Sequence, residues 1–291
     1  MGALEGRVAV ITGAGGGIGR EHALLFAKEG ALVVVNDLGV ANDGSGTDGG
    51  PAAAVAAEIV AAGGTAVANT DNIATWDGAK ALIDQAVAEY GRLDILVNNA
   101  GILRDAFIAK MTEAQWDAVI NVHMKGHFAP LHHATLHWAA RTAAGEAVSA
   151  SVINTASASG TFMPNPGQSN YGAAKAGIAA LSLVAADELA RFGVRVNCIA
   201  PIARTRLTLA TPGMGAIFAA PVAEGEADLF SPAQISPLVA WLASEDCKVT
   251  GKTFAISGGS VQELEGWRAT NASETDDDWT IAGIAEAVGS W

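Results

Sequence analysis

Short runs rich in β-branched residues alternate with longer alanine-rich amphipathic stretches along most of this chain of 291 residues. This alternation is typical of repeated βαβ units, which build a parallel sheet with helices on both faces. Most of the predicted strands are nearly continuous apolar runs, as expected of strands that are covered on both faces. The strands are predicted at Arg7–Thr12, Ala31–Asp37, Thr65–Asn69, Asp94–Asn98, Ser151–Thr155, Arg195–Ala200 and Thr253–Ile256. The main helices are predicted at Gly19–Glu29, Ala52–Ala62, Trp76–Tyr90, Glu113–Arg141 and Tyr171–Arg191.

Three segments interrupt this alternation. Asn42–Gly50 has the composition of a flexible surface loop, and Ala203–Phe230 is expected to lie where a substrate lid could sit. Val261–Trp291 is a C-terminal extension that carries three tryptophans and a short amphipathic helix, and it is predicted to pack on the body or on a neighbouring subunit. Because no linker divides the remainder, residues 4–260 are predicted to form one domain.

Composition and charge exclude several classes of function. The net charge of −13 argues against nucleic acid as a partner, since phosphates attract basic surfaces. The two cysteines, Cys198 and Cys247, have the spacing of neither a disulfide framework nor a zinc site. The sequence has no apolar run of transmembrane length and no basic, apolar signal region, so we expect a cytoplasmic protein without a membrane partner.

The first predicted strand leads into a glycine-rich loop, Thr12–Gly19 (TGAGGGIG), and then into an amphipathic helix. Glycines permit a tight turn and let the backbone approach a pyrophosphate, which the N-terminus of the following helix stabilises. The order strand, loop, helix therefore predicts a dinucleotide site of the Rossmann type. The expected fold class is thus α/β, a single doubly wound parallel sheet followed by the extension.

Two aspartates lie at or just after the ends of the second and third predicted strands. Asp37 ends the second strand, at about the distance at which a ribose-binding carboxylate is expected. Its charge would repel a 2′-phosphate, which favours NAD over NADP; alternatively, Asp37 is a helix cap or a turn residue. Asp71 can accept a hydrogen bond from the adenine amino group, or it caps the helix that begins at Trp76.

The fourth strand ends in Asn98–Gly101 (NNAG). Small residues and amide side chains at the carboxyl end of a central strand fit the rule that ligands bind there in open α/β sheets. Asn98 and Asn99 are alternatively ordinary turn formers.

A phenol and an ammonium stand four residues apart in Tyr171 and Lys175, at the start of a predicted helix. Side chains at this spacing share one helix face. A nearby cation favours phenolate and lowers the pKa of a tyrosine, which would make Tyr171 suited to general acid–base chemistry. Taken alone, such a pair is more often solvated or packed, so the preceding motifs carry the functional interpretation.

Together these segments resemble the short-chain dehydrogenase/reductase family over residues 4–260. The resemblance implies reversible hydride transfer between NAD(H) and a secondary alcohol or ketone, by a homodimer or homotetramer. The motifs occur in the family's order and close to its spacing: Thr12–Gly19, Asp71, Asn98–Gly101, Asn121, Ser157, Tyr171 and Lys175.

The resemblance also implies a catalytic role for four residues. Tyr171 is the acid/base, and Lys175 lowers its pKa while holding the nicotinamide ribose. Ser157 positions the substrate oxygen, and Asn121 on the long central helix holds a water that continues the proton relay. The residues implied to bind the cofactor are Gly13, Gly15, Gly16, Gly17, Ile18, Gly19, Asp37, Asp71, Asn72, Asn99, Ala100, Gly101, Tyr171, Lys175, Pro201, Ile202 and Thr205.

The sequence departs from the family pattern in two places. The spacing from Ser157 to Tyr171 is one residue longer than usual; Ser159 is the rival serine, but Ser157 has the serine-x-x-glycine context. After the sixth strand the family's Pro-Gly is replaced by a proline followed by Ile202, and Thr205 comes one residue early. The contact of Thr205 with the nicotinamide amide therefore depends on the local backbone.

A closer resemblance concerns the substrate. Asn36–Gly39 (NDLG), Asn98–Asp105 (NNAGILRD) and Gly167–Tyr171 (GQSNY) are similar to the (3R)-hydroxyacyl-CoA dehydrogenase module of peroxisomal multifunctional enzyme type 2 and its bacterial relatives. This implies a 3-hydroxyacyl-CoA/3-oxoacyl-CoA pair as substrate. Two alternatives stay open: a steroid, cyclic-alcohol or xenobiotic ketone dehydrogenase, and a non-catalytic nucleotide-sensing or scaffold protein on the same fold.

Five of the six histidines fall within residues 123–137. Two pairs have the i, i+4 spacing of metal ligands on a helix, but no glutamate follows in a protease-like pattern. No metal site is predicted, and these histidines are expected to face a neighbouring subunit or solvent.

Overall fold

The computed structural model describes residues 2–211, 215–223 and 225–291. Its centre is one sheet whose strands follow the order β3-β2-β1-β4-β5-β6-β7-β8. Strands β1 to β7 are parallel, and β8 pairs antiparallel with β7. The strands are β1 (Val8–Thr12), β2 (Leu32–Asn36), β3 (Thr65–Asn69), β4 (Ile95–Asn98), β5 (Ala150–Thr155), β6 (Val194–Pro201), β7 (Thr253–Ser257) and β8 (Ser260–Leu264).

Helices occupy the connections between successive parallel strands. They are α1 (Gly17–Lys28), α2 (Gly50–Ala61), α3 (Trp76–Tyr90), α4 (Glu113–Ile120), α5 (Gly126–Ala143), α6 (Ala158–Thr161), α7 (Ser169–Leu189), α8 (Arg206–Ala210), α9 (Gly215–Phe218) and α10 (Ser236–Ala243). A further helix, α11 (Ile281–Gly289), follows β8. A π-helical turn, Asn121–Lys125, joins α4 to α5, so the predicted long central helix is continuous but locally widened. None of the described helices is both long and apolar enough to cross a membrane.

The two faces of the sheet carry separate hydrophobic layers. Successive side chains of a strand point to opposite faces, and in β1 Ala9 and Ile11 join the layer under α1, α2 and α10. Val8 and Val10 join the layer under α3, α5 and α7. Every residue of β1 is buried, which explains why the strand is a continuous apolar run. The predicted doubly wound α/β fold is confirmed.

The strand order reverses beside β1, because β2 and β3 lie on one side of it and β4 on the other. The loops that leave β1 and β4 therefore diverge at the carboxyl end of the sheet. This divergence opens the crevice in which open α/β sheets bind ligands.

The sequence did not predict β8. Its residues are exposed or half-exposed, so the strand lacks the apolar run that marks the others. Residues 261–264 of the predicted extension therefore complete the edge of the sheet. The predicted tail helix is present as α11, which the structure describes in full, and none of its residues is buried in the single chain. The packing partner of the extension stays a prediction.

Candidate active site

A cavity of about 510 Å³ opens at the carboxyl ends of the strands, at the point where the strand order reverses. This volume is within the range of small-molecule and cofactor sites. Its wall combines the glycine loop, the ends of β2 and β3, the loop after β4, the π-helical turn, the start of α7 and the segment after β6.

The glycine loop packs closely against the loop after β4. Gly13 has a φ of +64°, and a Cβ there would lie 2.7 Å from the Cα of Ala100. Thr12 Oγ1 accepts hydrogen bonds from the main-chain N–H groups of Asn99 (3.0 Å) and Ala100 (3.1 Å). The Asn99 side chain donates to Thr12 O at 3.0 Å. The threonine and the glycine thus hold the two crevice loops together.

Gly19 has a packing role. A Cβ at Gly19 would lie 2.2 Å from Gly13 O and 2.5 Å from the side-chain nitrogen of Asn99. The first turn of α1 can therefore approach the loop only with glycine at this position. Within the described part of the chain, Gly19 lies outside the pocket wall, unlike Gly13, Gly15, Gly16, Gly17 and Ile18.

Asp37 lies in the pocket wall and also shapes the local turn. Its Oδ2 accepts a hydrogen bond from Gly15 N at 2.8 Å, and its Oδ1 accepts one from Gly39 N at 2.7 Å. Each carboxylate oxygen can accept more than one hydrogen bond, so the group retains capacity for a ligand. The two interpretations of Asp37 are therefore compatible.

The alternative in which Asp71 caps the following helix is wrong. Thr75 is the N-cap of α3, and its hydroxyl accepts from Gly78 N at 3.1 Å. Asp71 lies in the pocket wall, where its Oδ2 accepts from Asn69 at 2.7 Å. Its position remains consistent with an adenine contact.

Asn98 and Asn99 are more than ordinary turn formers. Asn98 is fully buried, and its side-chain nitrogen donates to Asn154 Oδ1 at 3.0 Å and to His127 O at 3.2 Å. Asn98 therefore ties β4 to β5 and to α5. Asn99, Ala100 and Gly101 lie in the pocket wall.

Ser157, Tyr171 and Lys175 lie together in the wall of the same cavity. Ser157 follows β5 and begins α6, where its Oγ accepts from Ser159 N at 3.2 Å. Tyr171 and Lys175 are one turn apart on α7, with the lysine Nζ 5.6 Å from the centroid of the tyrosine ring. The Lys175 ammonium is buried and donates to Thr155 O at 2.5 Å.

Burial dominates the electrostatics of this group. Burial raises the pKa of Tyr171 above its usual range, the Ser157 hydroxyl opposes this, and the Asp105 carboxylate adds to it. Burial also lowers the pKa of Lys175 to about 7. The lowering of the Tyr171 pKa that was expected from Lys175 is therefore not what the structure gives.

The rival serine is turned away from the cavity. Ser159 donates its hydroxyl to Gln168 Oε1 at 2.9 Å, whereas Ser157 lies in the wall beside Tyr171. The geometry therefore favours Ser157.

The segment after β6 differs in part from the expectation. Ile202 donates its N–H to Ile256 O at 2.8 Å, and of the described residues Pro201, Ala203 and Thr205 form this part of the wall while Ile202 does not. The main-chain N–H of Ile202, a residue implied to bind the cofactor, is therefore already bonded to β7. Thr205 lies in the wall, and its hydroxyl caps α8 by accepting from Thr208 N at 3.2 Å.

Asn121 belongs to the wall, but it is a solvent-exposed residue. In the π-helical turn, Gly126 N bonds to Asn121 O, five residues back, which inserts one residue relative to an α-helix. His123, two residues further on, is buried and its ring contacts Tyr171. The sequence did not predict His123 at the site, because its place among five clustered histidines gave no signal of this contact.

The expectation that the clustered histidines face outward is wrong for three of them. His123, His127 and His133 are at most 8 % exposed. His132 packs against Trp76, with ring centroids 4.6 Å apart. Residues 2–211, 215–223 and 225–291 contain no group of three or more metal-ligating side chains.

The loop after β2 lines one side of the cavity with Leu38, Gly39, Val40 and Gly44, while most of residues 41–50 are exposed, as predicted for a surface loop. Asn42 O accepts from Leu103 N at 2.8 Å, and the Asn42 side chain donates to Arg206 O at 3.2 Å. Arg206 in turn donates to Val40 O at 3.1 Å. This loop connects the segment after β4 with α8, the first helix of the predicted lid.

A second arginine holds the predicted lid. Arg204 donates to Phe218 O at 2.5 Å and pairs with Asp228 at 2.8 Å. These bonds anchor α9 and the end of the lid to the segment that leaves β6.

Comparisons with known proteins agree with this geometry. Residues 7–208 match the family model described as short chain dehydrogenase. The chain is 44% identical over 262 residues to hydroxyacyl-CoA dehydrogenase ChsB1 of Mycobacterium tuberculosis, covering 89% of this chain and 79% of that protein. It is 38% identical over 267 residues to mouse peroxisomal multifunctional enzyme type 2, covering 92% of this chain and 34% of the much longer mouse protein.

A solved structure supports the same conclusion. The crystal structure of a short chain dehydrogenase from Mycobacterium avium is 49% identical in sequence and superposes with a TM-score of 0.88, covering 99% of this chain and 95% of that one. The chain therefore belongs to the short-chain dehydrogenase family, whose members are oxidoreductases that use a nicotinamide cofactor.

Proposed function

We propose that this chain catalyses the reversible, NAD-dependent oxidation of a secondary alcohol to a ketone. The observation that carries the proposal is that Ser157, Tyr171 and Lys175 lie in one cavity wall with the glycine loop and Asp37. A candidate acid/base, a cation and a hydroxyl are thereby adjacent to a site shaped for a dinucleotide.

The residues present fit a dinucleotide. A Cβ at Gly16 would meet no atom within 4 Å, so there is open space in front of the loop at the N-terminus of α1. Main-chain N–H groups and the helix dipole favour an anion at this place. Asp37 lies at the end of β2, and its charge favours a free ribose hydroxyl over a 2′-phosphate, which is the basis for proposing NAD.

In the direction of oxidation, Tyr171 accepts the proton of the substrate hydroxyl, and Ser157 donates a hydrogen bond to the substrate oxygen. A bound NAD⁺ supplies the acceptor for the hydride. Lys175 holds the ribose, and we expect its pKa to rise when a negatively charged dinucleotide occupies the cavity. Once charged, Lys175 favours the phenolate of Tyr171. The role of Asn121 in holding a relay water stays a prediction.

We propose a 3-hydroxyacyl-CoA/3-oxoacyl-CoA pair as the substrate. The support is the likeness to ChsB1, whose name gives it as a hydroxyacyl-CoA dehydrogenase, together with the position of Arg206. In the described part of the cavity wall the basic residues are Lys175 and Arg206, and Arg206 is exposed at the start of α8. An exposed guanidinium at the rim suits the phosphates of coenzyme A.

A panel of substrates tests the proposal. Purified protein with NADH should reduce acetoacetyl-CoA faster than a 3-ketosteroid or a cyclic ketone, followed by the loss of absorbance at 340 nm. Preference for the steroid or the cyclic ketone would support the second candidate substrate class. Tight binding of NADH with turnover of none of them would instead favour a nucleotide sensor.

A single arginine separates recognition of coenzyme A from recognition of the ketone. Arg206→Ala should raise the KM for acetoacetyl-CoA at least fivefold, and leave the KM for the N-acetylcysteamine thioester, which lacks the phosphates, unchanged. Arg268→Ala, on the exposed extension, is the matched control. Equal effects on both thioesters would contradict a phosphate contact.

The assembly also remains a proposal. We propose a homodimer or homotetramer in which residues 4–260 form the catalytic domain and the extension packs on the body or on a neighbouring subunit. The apolar side of α11 supports this, since Ile281 is 94% exposed in the single chain. Sedimentation velocity of the full chain and of a chain ending at residue 266 measures the contribution of the extension.

A further inference from the structure

The residue that faces Tyr171 from the central helix is His123. It is 1% exposed, its ring centroid lies 5.2 Å from that of Tyr171, and the two ring planes are 89° apart. Edge-to-face packing of this kind is the preferred arrangement of two aromatic rings. Because the direction of a tyrosine hydroxyl follows the plane and tilt of its ring, His123 restricts where the Tyr171 hydroxyl can point.

His123 also holds the loop that follows β4. Its Nε2 lies 2.9 Å from Ile102 O and 3.2 Å from Ile102 N. Nε2 bonds to only one of these two groups at a time. When it carries a proton it donates to Ile102 O, and when it does not it accepts from Ile102 N, so either tautomer bonds to the main chain of Ile102. A Cβ at Gly101 would lie 2.4 Å from His123 Cε1, so the glycine makes room for the ring.

The imidazole is neutral at ordinary pH. Burial, aided by the charge of Lys175, lowers the pKa of His123 to about 3. The titratable groups around it are Tyr171 and Lys175 on α7 and His127 one turn further along its own helix. A neutral ring in this position acts through packing and hydrogen bonding, not through proton exchange.

Packing alone does not explain why a histidine occupies position 123. Its Nδ1 is buried and has no hydrogen-bond partner among the described residues, which is unfavourable for folding. An apolar ring would avoid that cost but would lose the bond to Ile102. The retained polar ring connects the candidate acid/base to the loop that forms the cofactor side of the cavity.

We infer that His123 is a positioning residue, whose ring orients the Tyr171 phenol and whose Nε2 fixes the loop Gly101–Ile102. The inference rests on the role of Tyr171 in the proposed function. It predicts that the two contributions are separable, because the ring acts on the acid/base and the nitrogen acts on the cofactor side.

Two substitutions separate the contributions. His123→Gln keeps a donor near the place of Nε2 and removes the ring, so kcat should fall at least tenfold while the Kd for NADH stays within twofold. His123→Phe keeps a ring and removes the nitrogen, so the Kd for NADH should rise at least fivefold while kcat at saturating cofactor stays within threefold. His137→Phe, on the same helix and outside the cavity, is the control.

The ionisation of Tyr171 gives a readout that needs no turnover. The chain has two tyrosines, so a Tyr90→Phe background leaves Tyr171 alone. Labelled with ¹³C at Cζ, Tyr171 gives one NMR signal that is titrated against pH. Removing the ring in His123→Gln admits water and should lower the Tyr171 pKa toward its usual value, whereas His123→Phe and His137→Phe should leave it unchanged.

The outcomes are distinguishable. An unchanged kcat and an unchanged Tyr171 titration in His123→Gln would overturn the inference, as would equal effects of Gln and Phe on both readouts. If His123→Gln does not fold, His123→Phe decides: a weaker NADH complex with a parental Tyr171 titration supports the inference, and a parental Kd overturns it. If the parent turns over no substrate, the proposed function fails, while the Tyr171 titration still reports on His123.

Discussion

The Asp37 carboxylate accepts a hydrogen bond from the N–H of Gly15 at 2.8 Å and thereby joins the end of β2 to the glycine loop. One side chain thus shapes the loop and places negative charge beside the expected ribose. This arrangement explains why charge and shape at Asp37 have to be tested separately.

Asp37→Asn retains the size of the side chain, removes its charge and keeps one of the two oxygens that accept from Gly15 N and Gly39 N. A charge-assisted hydrogen bond contributes about 1.5–3 kcal/mol, so the affinity for NAD(H) should fall by about 10- to 150-fold. NADP(H) should bind as well as before or better, because repulsion of its 2′-phosphate is lost. Fluorescence titration with NADH and NADPH measures the ratio of the two affinities.

Asp37→Ala serves as the companion variant. It removes both the charge and the bond to Gly15, so both cofactors should lose affinity, with NADH losing more. A ratio of NADH to NADPH affinity that stays parental in both variants would refute the ribose contact.

Tyr171→Phe removes one hydroxyl from the candidate acid/base. Turnover should become undetectable, because the variant lacks the phenol that is proposed to take the proton of the substrate hydroxyl. NADH binding should stay within threefold of the parent, since the ring and its contact with His123 are retained. Steady-state kinetics and NADH titration are compared, with Tyr90→Phe as the control, and retained turnover would contradict the assignment.

Two glycines of the same loop should behave in opposite ways. Gly13 has a φ of +64° and no room for a Cβ, so Gly13→Ala should cost about 1–3 kcal/mol of folding stability and lower Tm. Gly16 has extended backbone, and a Cβ there points into open space. Gly16→Ala should therefore leave Tm unchanged and still weaken NADH binding, because its methyl group enters the space proposed for the pyrophosphate.

Thermal unfolding and NADH titration of both variants test this pair. A lowered Tm in Gly16→Ala would show that the open space is filled in solution. Parental NADH affinity in the same variant would place the pyrophosphate elsewhere.

The sheet could be predicted because its strands are buried on both faces, which leaves continuous apolar runs in the sequence. The strand β8 could not, because its exposed residues carry no such run. The loop after β2 was predicted as a flexible surface loop from its glycines and polar residues, and most of its residues are exposed. The bond from Leu103 N to Asn42 O also connects it to the segment after β4, which composition does not reveal.

The candidate catalytic pair, Tyr171 and Lys175, could be predicted from its spacing on one helix, but its surroundings could not. The π-helical turn shifts the register of the central helix. Helical periodicity counted from Asn121 therefore does not predict that the side chain of His123 is buried. Likewise, the spacing of Tyr171 and Lys175 predicts that the two side chains are neighbours. It does not predict how deeply they are buried, and burial is the main cause of their pKa shifts.

The burial of Lys175 makes stability depend on pH. Its pKa is about 7 in the folded chain and near 10.5 in the unfolded chain, so between these values the unfolded state binds more protons. The free energy of unfolding should therefore rise with pH across this window, by at most about 1.4 kcal/mol per pH unit from this group.

Lys175→Met removes this contribution. The unfolding free energy of the parent minus that of the variant should therefore increase by roughly 1–2 kcal/mol from pH 7.5 to 9. Urea denaturation at both pH values measures it. Lys80→Met, whose side chain is 57% exposed, is the control and should show no such growth. A parallel pH dependence in parent and Lys175→Met would show that the buried ammonium keeps its ordinary pKa.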